Sequence, residues 1–308
     1  MTVHLFGGKH FDRAAELRSN LAEIGEILSG PAARLVPMHR GRSLLQPGEP
    51  MTAALVTTDA WRDIDSTRCV LLGRHLEYYC FAVDMSHVPE EQLAEHGQLA
   101  DLRLSGPMLG DDDAALLACA RALLLWHREH QFCGRCGARN EAHGGGHVLR
   151  CSDPDCGRSQ FPRIDPAIIV LVDDGPRCLL GRQASWPPQR YSTIAGFVEP
   201  GESLEDAVAR EVGEETGVRV KDPIYHSSQP WPFPSSLMLG FHAQAADFNI
   251  TLRDEELEDA RWFTRRDILD GVIKLPPRVS ISFRLIEEWF NRGDEGALLQ
   301  RLPSAGSW

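Results

Sequence analysis

Residues 196–218 read Gly-Phe-Val-Glu-Pro-Gly-Glu-Ser-Leu-Glu-Asp-Ala-Val-Ala-Arg-Glu-Val-Gly-Glu-Glu-Thr-Gly-Val. Gly196 and the Pro200-Gly201 pair make a tight loop that leads into a helix. Ser203 and Asp206 form a capping pair at its start, and Gly217 is its stop signal. On a helical wheel advancing about 100° per residue, Leu204, Ala207, Val208 and Val212 share one side, the stripe that should be buried. Glu211 and Glu215 fall within that stripe and Glu214 at its edge. An unpaired buried carboxylate costs several kcal/mol or takes up a proton, so carboxylates clustered on an apolar stripe call for a cation. Hard oxygen donors without thiolate or imidazole favour Mg²⁺ or Mn²⁺. An ordinary acidic surface helix would account for Glu214 and Glu215 alone, but not for the loop, for Glu202 inside it, or for Arg210 next to the glutamates.

Two pairs of cysteines form a second motif. Cys133-Gly-Arg-Cys136-Gly is followed by Cys151 and, after four intervening residues, by Cys156-Gly. Glycines after Cys136 and Cys156 let the backbone turn tightly, and four thiolates in two close pairs suit a tetrahedral structural Zn²⁺. Such an ion stabilises a small ribbon that has little core of its own. His143 and His147 flank Gly144–Gly146 and offer substitute ligands; a solvated glycine hinge is the competing reading. Cys69, Cys80, Cys119 and Cys178 are scattered among apolar residues and read as core.

A third stretch, residues 228–236, reads Ser-Gln-Pro-Trp-Pro-Phe-Pro-Ser-Ser. Its alternating prolines restrict the backbone, so Trp231 and Phe233 are held at fixed spacing and lose little entropy on binding. Flat rigid rings suit a nucleobase, with Gln229 and Ser236 as hydrogen-bonding partners. A proline-rich loop that recruits a partner domain is the alternative. The position of the loop, within one strand's length of the carboxylate helix, favours a place in a substrate site.

Residues 196–218 match the Nudix box in every fixed position: Gly, five residues, Glu, seven residues, Arg-Glu, an aliphatic, one residue, Glu-Glu, one residue, Gly, an aliphatic. The 228–236 stretch closely resembles the SQPWPFPxS array of the NADH pyrophosphatases, the NudC-type Nudix enzymes. With the cysteine pairs upstream, the resemblance covers most of residues 133–236. It implies an α+β chain: a Nudix α/β/α sandwich, an N-terminal sheet-containing domain and a zinc ribbon between them. It implies hydrolysis of the pyrophosphate bond of NAD(H) to AMP and nicotinamide mononucleotide with Mg²⁺ or Mn²⁺. By resemblance, the Ala195 carbonyl and the carboxylates of Glu211, Glu215 and Glu256 are metal ligands, and Glu214 holds a second ion or a water. Glu215 then orients or deprotonates the attacking water, with Glu214 as runner-up, and Arg210 holds the glutamates in place. Phe197 matches a ring that stacks on nicotinamide, and Phe161 stands where a tyrosine is frequent. Gln229, Pro230, Trp231, Pro232, Phe233, Pro234, Ser235 and Ser236 would line the dinucleotide pocket. Arg103 lies where related proteins place a substrate-contacting arginine, against the simpler reading of a solvated one, and Ser282 takes the place of a backbone contact. Two departures stand out: the second cysteine pair is more widely spaced than usual, and the family's substrate-contacting glutamate between the knuckles has no match.

The same resemblance implies a homodimer and a second substrate, RNA capped with NAD at its 5′ end. Arg182, Arg190 and Arg278 form a candidate patch for a few nucleotides. The net charge of −12 argues against avid binding to long nucleic acid. A zinc-ribbon binding module with an inactive Nudix domain, and a broad-specificity enzyme acting on ADP-ribose or diadenosine compounds, are the alternatives. The 308 residues suit two or more domains. The expected division is an N-terminal domain over 1–110, a linker helix over 111–130, the ribbon over 131–160 and the Nudix domain over 161–300, with no internal repeat visible. No apolar run is long enough to span a membrane and no signal segment opens the chain, so a cytoplasmic protein is expected.

Overall fold

The computed structural model describes residues 4–8, 11–61, 66–252 and 256–302. The chain divides into two compact units: residues up to Ile164 together with Pro230–Ser235, and Asp165–Gln229 together with the chain from Ser236 onward.

The first unit is built on strands β1 (Ala33–His39), β2 (Arg42–Gln46), β3 (Thr52–Ala53), β4 (Val70–His75), β5 (Tyr78–Asp84) and β6 (Gln98–Ala100). They lie in the order β3-β2-β1-β5-β4, with β6 also on β2. The central pair, β1 and β5, is parallel, from Ala33 opposite Tyr79 to Met38 opposite Asp84. Its neighbours are antiparallel. One face buries Val36, Leu45, Val70 and Leu72 against Ala114, Leu117, Ala120 and Leu123 of the helix Asp111–Glu129. That helix, read from sequence as a linker, therefore contributes much of the first core. Three aspartates in its first turn and His127 and Arg128 in its last complement the helix dipole.

The ribbon adds β7 (Asn140–His143), β8 (Val148–Cys151) and β9 (Ser159–Gln160), all antiparallel. It belongs to the first unit. Gly145 and Gly146 are buried, and a Cβ on Gly146 would lie 2.9 Å from Val70. His127 Nε2 lies 2.6 Å from the Gly146 carbonyl, and His147 Nε2 lies 2.7 Å from that of Leu71. The glycine stretch is thus an anchor of the ribbon on β4, not a solvated hinge, and the ring of His147 is committed to that anchor.

The second unit holds β10 (Asp165–Asp173), β11 (Arg177–Arg182), β12 (Ile194–Phe197), β13 (Val220–Trp231), β14 (Ser236–Ala245) and β15 (Asp259–Thr264). The order is β13-β14-β10-β11-β15, with β12 on β10. Again the centre is a parallel pair, β10 with β14; β11 and β12 run antiparallel to β10, and β15 antiparallel to β11. Side chains alternate across the sheet. Ile168, Val170 and Val172 pack on Ala207, Val208 and Val212 of the helix Leu204–Thr216. Ile169 and Leu171 pack on Ile286, Trp289 and Phe290 of the helix Ile281–Asn291. Helix, sheet and helix form the expected sandwich. The shared plan of the two sheets left no trace as a sequence repeat, because it resides in strand order and not in side chains.

Candidate active site

The carboxylate helix runs from Leu204 to Thr216. Ser203 caps it, its Oγ accepting from the Asp206 N–H at 3.2 Å, and Gly217 ends it at φ 73°. As the wheel implied, Glu211 and Glu215 are buried while the Glu214 side chain is exposed. Gly196 on β12 makes room for this: a Cβ there would lie 1.9 Å from the Glu211 carboxyl carbon. The loop glycine is thereby explained by a contact with a residue fifteen positions on. Ala195, next to it, pairs with Ile169 on β10.

Arg210 organises the acidic groups. Its guanidinium donates to Glu202 at 2.7 and 3.0 Å, to Glu211 and Glu214 at 2.9 Å each, and to the Phe197 carbonyl at 2.8 Å. These contacts close the loop onto the helix and separate like charges. Glu202 is held below the usual carboxylate range by Arg210. Glu211 is pushed above it by burial, which outweighs the pull of Arg210, and the charges of Glu214 and Glu256 add to the rise. Glu256 is exposed, and its neighbour Leu257 packs against Gly181 in the cluster that includes Ile194. Part of the acidic run around Glu256, residues 254–255, lies outside the described residues. A buried carboxylate that burial drives toward protonation, Glu211, beside a second buried one and an exposed one, fits a hard divalent cation in its donor chemistry.

Residues 229–236 divide between the units. Gln229 and Ser236 belong to the second, Pro230–Ser235 to the first. Gln229 is fully buried. Its Nε2 donates to the Val279 carbonyl at 3.0 Å, and its Oε1 accepts from the Ile281 N–H at 2.8 Å. The sequence reading offered this amide to a base; the structure commits it to the start of the helix Ile281–Asn291. Ser236 opens β14 opposite Asp165. Trp231 and Phe233 meet edge-to-face at 5.3 Å between centroids, and both meet Phe6, at 6.1 and 5.6 Å. Pro232 is buried, its carbonyl accepting from Arg121 Nε at 2.9 Å, and Pro234 is exposed. The Arg103 guanidinium lies 5.5 Å from the Trp231 ring and 5.8 Å from Phe233, so it is stacked and not merely solvated. Phe6 and Arg121, which frame this cluster, carried no sequence signal.

Phe161 in the first unit and Phe197 in the second are both exposed, at 68% and 58%. Ser282 is buried, with Oγ 2.8 Å from both Ser192 Oγ and Thr193 Oγ1, so its hydroxyl is spent inside the unit. Arg182, expected in a phosphate patch, is paired with Glu258 and donates to the Trp186 carbonyl at 3.0 Å. It lines a cavity of about 870 Å³ with Trp186, Gln189, Tyr191 and Arg261, which contains none of the box glutamates.

The four ribbon cysteines do converge. Their sulfurs all lie within 4.8 Å of one another, with Cys133 to Cys156 at 3.8 Å and Cys136 to Cys151 at 3.3 Å. Thiolates about 2.3 Å from a tetrahedral ion stand roughly 3.8 Å apart. Backbone N–H groups of Arg135 and Cys136 draw the Cys133 thiol down to about 6, whereas burial pushes Cys151 up to about 12 and Cys136 also lies above its ordinary value, so without an ion the four thiols favour a single thiolate. The wider spacing of the second pair thus does not prevent closure.

Three known domain families match the chain. Residues 162–288 match the NUDIX domain, 128–161 the NADH pyrophosphatase zinc ribbon domain, and 32–126 an NADH pyrophosphatase-like rudimentary NUDIX domain. The last accounts for the shared plan of the two sheets. The chain is 37% identical over 293 residues to the NAD-capped RNA hydrolase NudC of Mycobacterium bovis, covering 90% of this chain and 92% of that one. It is 48% identical over 177 residues to NudC of Stutzerimonas stutzeri, covering 58% and 62%. It is 43% identical over 196 residues to the human NAD-capped RNA hydrolase NUDT12, covering 59% of this chain and 42% of that one. The chain thus matches less than half the length of the human relative.

Proposed function

The chain belongs to the Nudix hydrolases, in the zinc-ribbon group of NADH pyrophosphatases, and from that membership we propose that it hydrolyses the pyrophosphate bond of NAD(H) to AMP and nicotinamide mononucleotide. Water adds to phosphorus, and the bridging P–O bond breaks. The burial of Glu211 and Glu215 on a helix whose loop glycine exists to admit Glu211 is the observation that carries this reading. Glu211, Glu215, Glu256 and the Ala195 carbonyl would hold Mg²⁺ or Mn²⁺, with Glu214 at the edge of the set. When bound, the ion supplies charge neutralisation of the diphosphate and a more acidic water. Glu215 orients that water and takes its proton, and Arg210 keeps the carboxylates in register through its contacts to the loop. Taken unit by unit, Phe197 in the second, and Phe161 and the Trp231–Phe233 cluster in the first, each offer a flat surface that suits an aromatic ring of the substrate.

Removal of an NAD cap from RNA is the second substrate reading, by the same chemistry, and the names of the relatives favour it. With Arg182 committed to Glu258, RNA beyond the cap would be held by few direct charges. The ribbon cysteines hold structural Zn²⁺ in this account. A homodimer fits the exposed apolar side chains Phe132, Phe161 and Ile164 at and just after the ribbon. A cytoplasmic location fits a chain whose eight cysteines form no disulfide among the described residues. Among the described residues no helix is long and apolar enough to cross a membrane.

The test is product analysis with NADH, NAD⁺, NAD-capped RNA, ADP-ribose and diadenosine compounds, with Mg²⁺ or Mn²⁺ and with chelator. Chelator-sensitive release of AMP from NAD(H) or of 5′-monophosphate RNA supports the reading. Turnover confined to ADP-ribose or diadenosine compounds moves it to the broad-specificity alternative, and no turnover of any substrate to a binding role.

A further inference from the structure

The second sheet carries a group of potential ligands on the face away from the box glutamates. In β14 the odd residues Leu239, Phe241 and Ala243 pack in the core of the carboxylate helix. Met238 packs in the other core, and a Cβ on Gly240 would touch Ile281. By the same alternation His242 faces the helix Ile281–Asn291. Beside it on the edge strand β13 stands His226, its ring edge-to-face with His242 at 5.4 Å between centroids. Glu288 comes from the helix above, with carboxylate oxygens 2.8 Å from His226 Nε2 and 3.8 Å from His242 Nε2. One ligand atom from each residue lies within 4.8 Å of the others.

A buried histidine beside a second histidine and a carboxylate would ordinarily have its ring nitrogens satisfied. This one does not. His242 is 9% exposed, and neither of its ring nitrogens has a hydrogen-bond partner. A buried imidazole with an unspent lone pair, next to a second imidazole and a carboxylate, lacks an electrophile. His226 is prepared for the same role: Ser227 Oγ lies 2.5 Å from Nδ1, which leaves Nε2 directed at Glu288.

We propose that His226, His242 and Glu288 bind a divalent first-row transition ion of the zinc class, separate from both the ribbon cysteines and the box glutamates. Two imidazoles and one carboxylate suit zinc and disfavour Mg²⁺, which prefers oxygen donors and retains its waters. Ligand atoms about 2 Å from such an ion stand roughly 3.5 Å apart, within reach of the distances here. The ion would tie edge strand β13 and strand β14 to the last long helix. Arg292, which donates to Glu288 at 2.8 Å, would give up that oxygen on binding.

The test is calorimetric titration of the full chain with Zn²⁺, its ribbon already loaded and excess Mg²⁺ present. The wild type should take up one further zinc and melt at a higher temperature for it. His242→Gln and Glu288→Gln should each weaken that binding by about tenfold or more, and Glu215→Gln should retain it. Identical titrations in wild type and Glu288→Gln overturn the proposal, as does loss of the extra zinc in Glu215→Gln. Glu288 is half exposed, so its variant folds even if the buried His242→Gln does not.

Discussion

Gln229→Leu separates a substrate contact from a structural one. In the wild type the amide bridges the Val279 carbonyl and the Ile281 N–H. The first N–H groups of a helix have no partner within it, so Gln229 completes the start of Ile281–Asn291 from another strand. Leucine fills nearly the same volume but leaves both backbone groups buried and unpaired. Each costs about 1–3 kcal/mol, and the added apolar burial returns about 1 kcal/mol. The net loss is therefore about 1–5 kcal/mol, a large share of the stability of a domain. At about 2–4 °C per kcal/mol for a domain of this size, the melting temperature should fall by roughly 2–20 °C. Differential scanning calorimetry reads this directly, and steady-state kinetics below the transition should give an unchanged KM for NADH. A melting temperature within 2 °C of wild type together with a several-fold higher KM would refute the structural assignment and return Gln229 to the pocket.

Gly196→Ala places a Cβ where the Glu211 carboxyl sits, so Glu211 must move; kcat should fall about a hundredfold, and full turnover would show that its position is not required. Arg210→Ala removes the group that draws Glu211 down, leaving burial unopposed, so the pKa of Glu211 rises further. The acid limb of kcat against pH should then move to higher pH, activity being lost earlier as pH falls, whereas Arg210→Lys should leave the limb near its wild-type place; an unmoved limb in the alanine variant contradicts the role given to Arg210. Cys151→Ser should release the ribbon zinc and expose residues 131–160 to protease, measured by metal analysis and limited proteolysis; retained zinc in a resistant ribbon would dissociate the cysteines from the ion.

What the sequence revealed was local. Ser203, Asp206 and Gly217 mark the box helix because caps act within a few residues. A helical wheel sorted Glu211 and Glu215 from Glu214 because burial follows the 3.6-residue period. The ribbon cysteines could be read because metal geometry constrains their spacing. What remained hidden depended on residues far apart in the chain. Gln229 looked like a recognition residue because its partners lie some fifty positions away. Arg103 looked solvated because Trp231 and Phe233 reach it only in three dimensions. The helix Asp111–Glu129 looked like a connector because its apolar face is matched by β1, β2 and β4, which lie well before it in the chain. His226, His242 and Glu288 share no spacing, since each stands on a different element.

The central claim is that one carboxylate site on the box helix performs the hydrolysis. Wild type and Glu215→Gln should be compared on NADH and on a short NAD-capped RNA, with Mg²⁺ or Mn²⁺, alongside their melting temperatures. The account predicts that the variant loses about 10²–10⁴ in turnover on both substrates while melting within a few degrees of wild type. Undiminished cleavage of either substrate by folded Glu215→Gln would contradict it.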